Sequence, residues 1–269
     1  MKTTVLGCLP YLNLRPLIRS LEADPPEGYT LVYDVPSGLA RQLAEARCDI
    51  AAVSSFEALR SPDLVIVPGV SIASDGPVMS VLLFSKVPFH QIQTLALDTS
   101  SLTGAALSRI LLAECYACIP KVVRLDPDPN QMLASADACM LIGNNAMTLA
   151  PQCPYQMDLG QEWKKLTGLP FVFGVWAARQ GRVDDRDVAI LNQAARQGMS
   201  CLDEIVQEET RCLSLPTAFI RNYLAEVMVY SLGEQELRGL EEFRKRAVSH
   251  KLLPEDSALR LYQASELIP

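Results

Sequence analysis

Histidine is nearly absent from this 269-residue chain, which carries only His90 and His250. Neither adjoins a serine or cysteine in a recognisable nucleophile pattern. Both are read as structural or surface groups, and chemistry built on an imidazole base is disfavoured. A basic cluster is also missing. With a net charge of −7 and a pI near 5.0, a nucleic-acid surface is excluded, although helix N-termini and hydroxyls can still hold a small anion. No apolar run approaches the roughly 20 residues that cross a bilayer. The opening stretch MKTTVLGCLPYLNLRPL, interrupted by Pro10, Asn13 and Pro16, lacks the apolar core of an export signal. The expectation is a soluble cytoplasmic protein that binds neither nucleic acid nor membrane. The 8 cysteines are scattered among apolar neighbours, without the framework of a small secreted scaffold, so reduced, buried thiols are expected. The Cys115-Tyr-Ala-Cys118 pair lies late in an apolar helix and has no second Cys/His pair at zinc spacing. Neither metal nor cofactor is expected.

What is present is an ordinary globular composition, 49% hydrophobic and 20% charged, enough for a core without staples. The first ninety residues alternate strand and helix. Strands are predicted at Thr3–Cys8, Tyr29–Val35, Asp49–Val53 and Asp63–Val67, with helices after Pro16, Ser37 and Ser55. Pro68–Ser85 turns at Asp75-Gly76-Pro77 and runs into a strand that carries Ser80 where an apolar residue is the default. A buried hydroxyl needs a partner, from backbone, water or ligand. A second alternating block follows Pro88, with strands at Thr94–Asp98, Lys121–Leu125 and Ala138–Ile142. Phe171–Ala177 is a further apolar strand, and the chain reads as helical after Arg182, PTAFIRNYLAEVMVYSL included.

The pattern predicts two α/β lobes, 1–88 with 175–269 and 89–174, joined by crossing strands near Ser85–Pro88 and Phe173–Ala177, with a ligand in the cleft between them. Small polar residues collect at the carboxyl ends of the strands: Asn13, Ser37 and Ser54 in the first block, Ser100, Ser101, Thr103, Gly143 and Asn144 in the second. Such an edge is where open α/β sheets bind ligands. Taken singly, each serine or threonine is also an ordinary helix cap, Ser37 among them. Hydroxyls and unpaired N–H groups without a strong base suit an anion, and the residues alone leave a binding protein and an enzyme of easy chemistry both open. The charges at Glu208-Glu209 read as a solvated helix face.

Six motifs carry a resemblance: PYLNLRPL at 10–17, CDIAAVSSFEAL at 48–59, SDGPVMS at 74–80, SSLTG at 100–104, LIGNNAM at 141–147 and EWKKLTGLPFVFGVWAAR at 162–179. In this order they resemble the chorismate dehydratases of menaquinone biosynthesis by the futalosine route. The resemblance implies a type-2 periplasmic-binding-protein-like fold with two Rossmann-like lobes. It also implies loss of water from dianionic chorismate to give 3-[(1-carboxyvinyl)oxy]benzoate, a hydro-lyase reaction without cofactor. It puts Asn13 and Ser80 at the reacting centre. Ser54, Ser101 and Thr103 would hold carboxylates, with Ser37 a weaker candidate; Gly104, Gly143, Asn144 and Trp176 would complete the substrate site. A carboxylate of the substrate would serve as base. The chain departs from the family pattern at Gly104, where serine is usual, and at Asn144, where aspartate is usual. Arg15 replaces a small or apolar residue and is expected to point outward. The alternatives are a sibling 1,4-dihydroxy-6-naphthoate synthase and a cytosolic protein binding a small carboxylate.

Overall fold

The computed structural model describes residues 3–263. Its first half alternates as expected: Thr4–Cys8 (β1), Arg15–Ala23 (α1), Tyr29–Tyr33 (β2), Pro36–Ala44 (α2), Ile50–Ser54 (β3), Ser55–Arg60 (α3) and Leu64–Ser74 (β4). Val81–Ser85 (β5), Thr94–Asp98 (β6), Thr103–Tyr116 (α4), Lys121–Leu125 (β7), Pro129–Ser135 (α5), Ala138–Ile142 (β8), Gly143–Thr148 (α6), Tyr155–Asp158 (β9) and Leu159–Thr167 (α7) follow. The chain ends with Phe171–Arg179 (β10), Asp185–Ser200 (α8), Leu202–Leu213 (α9), Thr217–Asn222 (α10), Met228–Leu232 (β11) and Glu234–Ser249 (α11).

The strands form two sheets, one of six in the order β11-β4-β10-β3-β1-β2 and one of five in the order β7-β6-β8-β5-β9. β1 pairs in parallel with β2 and β3, and β6 in parallel with β7 and β8. β10 is antiparallel to both β3 and β4, so it lies between them. That position explains its nearly unbroken apolar run, buried from both faces.

Four features differ from the sequence-based expectation. β4 runs on through Pro68 and Gly69 to Ser74, and β5 pairs within the second sheet. The chain therefore leaves the first sheet between Ser74 and Val81, and it returns before Phe171, not at Ser85–Pro88 and Phe173–Ala177. Residues 228–232, read as helix, form β11 against β4; their Val and Tyr, between a buried Met and Leu, suit a half-buried edge strand. The long helix expected after Arg182 breaks at Cys201 into α8 and α9. Ser37 is not a cap: Val35 holds the cap position, Asp34 Oδ1 accepts its N–H at 2.8 Å, and Ser37 lies exposed inside α2.

The outward crossing is held from below by α7. Asp158, the N-cap of α7, accepts from Val78 N at 3.0 Å, Met79 N at 2.8 Å and Gln161 N at 3.0 Å. These bonds fix Met79 at φ 59, a left-handed conformation costly for a side chain of this size. Gly160 on α7 permits the approach, since a Cβ there would stand 2.5 Å from Gly76 O. At the return crossing, Trp163, Phe171 and Phe243 pack edge to face, with centroids 5.1 Å apart for Trp163–Phe171 and 5.0 Å for Phe171–Phe243.

Of the cysteines, Cys8, Cys48, Cys118 and Cys139 are buried, whereas Cys115 and Cys212 are exposed. No helix among the described residues is long and apolar enough to cross a membrane.

Candidate functional site

The carboxyl ends of β1 and β3 in one sheet face those of β6 and β8 in the other across a cleft. Ile72 of β4, Val81 of β5 and Phe173 and Gly174 of β10, beside the two crossings, add to its lining. Asn13, Ser54, Ser101, Thr103, Gly104 and Gly143 all line it, as do Tyr11, Ser100 and Leu102. No lysine, arginine, histidine, aspartate or glutamate side chain does so among the described residues.

Asn13 lies in a short 3₁₀ turn, Leu12–Leu14, between β1 and the proline that opens α1. Its Oδ1 is buried and has no partner. The Tyr223 hydroxyl lies 2.8 Å from Ser80 Oγ, with the Asn13 side chain beside it. Tyr223 and Ser80 are both fully buried, and burial raises the phenol pKa well above its ordinary value, so the group stays protonated. Ser80 thus sits beneath the cleft wall, behind Asn13, rather than on its surface.

Across the cleft, Ser101 Oγ accepts from Gly104 N at 3.2 Å, and Ser54 Oγ, the N-cap of α3, accepts from Glu57 N at 3.2 Å. Both hydroxyls have given an acceptor site to a backbone N–H and keep their own hydrogens to donate. Thr103 Oγ1 is used between the lobes: it accepts from Phe56 N at 3.0 Å and shares a 3.2 Å hydrogen bond with Ser55 Oγ. Asn144 also spans the lobes rather than lining the cleft, its Oδ1 accepting from Leu12 N at 3.1 Å. Asp98 at the end of β6 is 1% exposed and accepts from Ser100 N at 2.8 Å and Ser100 Oγ at 2.6 Å. Burial raises its pKa, the Ser100 bonds opposing the shift. Tyr11 is raised as well, chiefly by burial, and its hydroxyl is bonded to the Ser100 side chain.

Two expected site residues lie elsewhere. Ser37 is exposed on α2, where the neighbouring Pro36 lines the cleft instead. Trp176 is 1% exposed in the core of β10, paired with Ala52 of β3, and its indole N–H has no partner. Arg15 turns from the cleft and meets Glu22 of its own helix and Glu209 of α9 at 2.8 Å each. Glu209, read as a solvated charge, is accordingly buried. Sequence reasoning missed Tyr11, which the PYLN motif contains, and Tyr223, for which the helical tail gave no signal.

A model of the menaquinone biosynthesis family matches residues 4–249. A chorismate dehydratase of Thermus thermophilus is 32% identical over 90% of this chain and 94% of its own length. One from Campylobacter jejuni is 28% identical over 90% of this chain and 96% of its own. Among solved structures, the periplasmic aliphatic sulphonate binding protein SsuA of Escherichia coli superposes with a TM-score of 0.72 at 13% identity, covering 100% of this chain and 94% of that one. That likeness concerns the fold, which is periplasmic-binding-protein-like.

Proposed function

This chain belongs to the menaquinone biosynthesis family, and from that premise we propose that it is a chorismate dehydratase, a carbon–oxygen hydro-lyase. It takes a small dianionic substrate and forms 3-[(1-carboxyvinyl)oxy]benzoate by loss of the ring hydroxyl and one ring proton as water. The observation that carries this reading is the cleft wall itself: Asn13 and hydroxyls with free hydrogens line it, and no charged side chain among the described residues does. Ser54 and Ser101 donate to the substrate carboxylates, and the dipole at the N-terminus of α4 favours an anion there. Asn13 acts at the ring hydroxyl, holding it in position and stabilising charge as the C–O bond breaks, and Ser80 supports it from behind the wall through the Tyr223 hydroxyl.

Among the described residues the wall supplies no carboxylate, amine or imidazole to take the ring proton. A substrate carboxylate serves as that base, and aromatisation of the ring drives the elimination. An analogue lacking the enolpyruvyl carboxylate should then bind but show almost no turnover. Undiminished turnover would sink the substrate-assisted step.

The reading as a whole is tested by incubating the purified protein with chorismate and following products by mass spectrometry and absorbance. A new aromatic species lighter by one water is expected. Unchanged chorismate with clear thermal stabilisation would instead mark a small-carboxylate binding protein.

A further inference from the structure

We propose that Tyr223, from the tail of the chain, is a positioning residue that fixes which atoms Asn13 and Ser80 present to the reaction. The inference rests on the dehydratase reading above. Tyr223 lies in a π-helical turn at 223–227, between α10 and β11, far in sequence from the motifs that line the cleft. It is among the largest fully buried side chains. A buried hydroxyl on an otherwise apolar ring needs partners, and it finds two, the Ser80 hydroxyl at 2.8 Å and the Asn13 side chain.

The hydrogen bonds have one consistent direction. Asn13 Oδ1 has no partner, so the Asn13 group that reaches Tyr223 is the amide nitrogen, and Nδ2–H donates to the phenol oxygen. The phenol O–H then donates to Ser80 Oγ. Two consequences follow. The Asn13 amide is held in one of its two flips, with the carbonyl oxygen buried and left as an unused acceptor. Ser80 has its oxygen satisfied, and no acceptor for its own hydrogen is seen among the described residues, so that hydrogen remains to be donated. One phenol thus assigns an acceptor to Asn13 and a donor to Ser80. Because burial keeps the phenol protonated, the direction does not reverse with pH in the ordinary range.

The chain also has its geometry locked from behind. The backbone carbonyl of Ser80 accepts from Gly143 N at 2.7 Å. Asp158 holds Met79 in its left-handed conformation one residue earlier. Ser80 therefore cannot follow a displaced partner, and a missing phenol oxygen leaves a gap rather than a rearrangement.

The test is a double-mutant cycle on kcat and KM with chorismate, using Tyr223→Phe, which keeps the ring, and Asn13→Ala. Tyr223→Phe should fold, bind chorismate with KM within about twofold, and lose about tenfold or more in kcat. In the Asn13→Ala background the same substitution should cost clearly less than tenfold in kcat, because one of its two routes to the reaction is already cut. A tenfold loss repeated in both backgrounds would make Tyr223 merely structural and overturn the inference, as would wild-type kcat in Tyr223→Phe. Wild-type kcat in Asn13→Ala alone would count against the site assignment itself, a separate failure. If Tyr223→Phe does not fold, Ser80→Ala paired with Asn13→Ala reads the same coupling, and additive losses there would overturn it.

Discussion

At Gly104 an added Cβ would stand 2.7 Å from Ser101 Oγ and 3.1 Å from the Met140 sulfur. The serine usual in the family cannot be restored unless Ser101 swings away from its bond to Gly104 N. Gly104→Ser should therefore lower kcat/KM for chorismate several-fold, and Ser101→Ala should relieve part of that loss in the double variant. Additive losses in steady-state kinetics would show that the two positions do not share space. Asp98 carries a pH-dependent expectation. Its folded pKa is raised above the ordinary 3.8, so the folded state holds the proton more tightly than the unfolded chain. Its contribution is full below 3.8 and is lost as pH rises through the raised value. Asp98→Asn removes that loss, so the unfolding free energy of the variant should gain on wild type as pH rises. Urea denaturation across the acid range checks it, and a gap constant with pH would mean that Asp98 titrates normally. At this scale Asn13, Ser54 and Ser101 were legible because each follows a strand that the apolar pattern marks. Trp176 and Ser37 were not placed correctly, because pattern shows neither which face of β10 meets the cleft nor where α2 begins.

Among elements, the join between the 3₁₀ turn after β1 and the start of α6 rests on Asn144 Oδ1 and Leu12 N. Aspartate, the usual family residue, offers the same acceptor. Asn144→Asp should keep kcat/KM within a few-fold, whereas Asn144→Ala leaves a buried N–H unpaired, a cost of about 1–3 kcal/mol to the arrangement with the lobes in contact. That variant should raise KM more than it lowers kcat, and equal KM values for the two substitutions would remove Asn144 from the contact. Apart from the long β4, the alternation of β1 through β8 was readable because each strand is short and bounded by Gly, Pro or a polar cap. β11 was not, since MVYSL follows a helical run without a proline and becomes a strand only because the β4 edge offers a partner. The crossings were misplaced for a related reason: Pro68 and Gly69 look like an ending, but β4 absorbs them in an irregularity opposite β10, between its pairings at Ile66 and Ser71.

For the molecule as a whole, residues of both lobes line the cleft, so a substrate there adds contacts to each. Chorismate at a hundred times its Kd should add about 2.7 kcal/mol to the folded state, or roughly 5–10 °C in Tm at this chain length. Differential scanning fluorimetry reads this directly. No shift at saturating chorismate would mean that the cleft does not take it. The two-lobed plan was visible in the order of the motifs, but the contacts that join the lobes were not. Thr103 to Phe56 and Asn144 to Leu12 pair residues from separate alternating blocks, and a period of apolar residues says nothing about such partners.

The order of strands also governs how the chain is made. The second sheet uses β5 to β9, a continuous run from Val81 to Asp158, and has all its strands once that run leaves the ribosome. The first sheet cannot close, because β10 stands between β3 and β4 and is synthesised last but one among the strands. At roughly 10 residues per second, β3 waits about 10 s for its neighbour. During that interval two apolar edges lie open to other nascent chains, a hazard greatest when many ribosomes share one message. The lobe that begins the protein is thus the one completed last, and slowing translation between Val81 and Asp158 should cost soluble yield more than slowing it after Arg179.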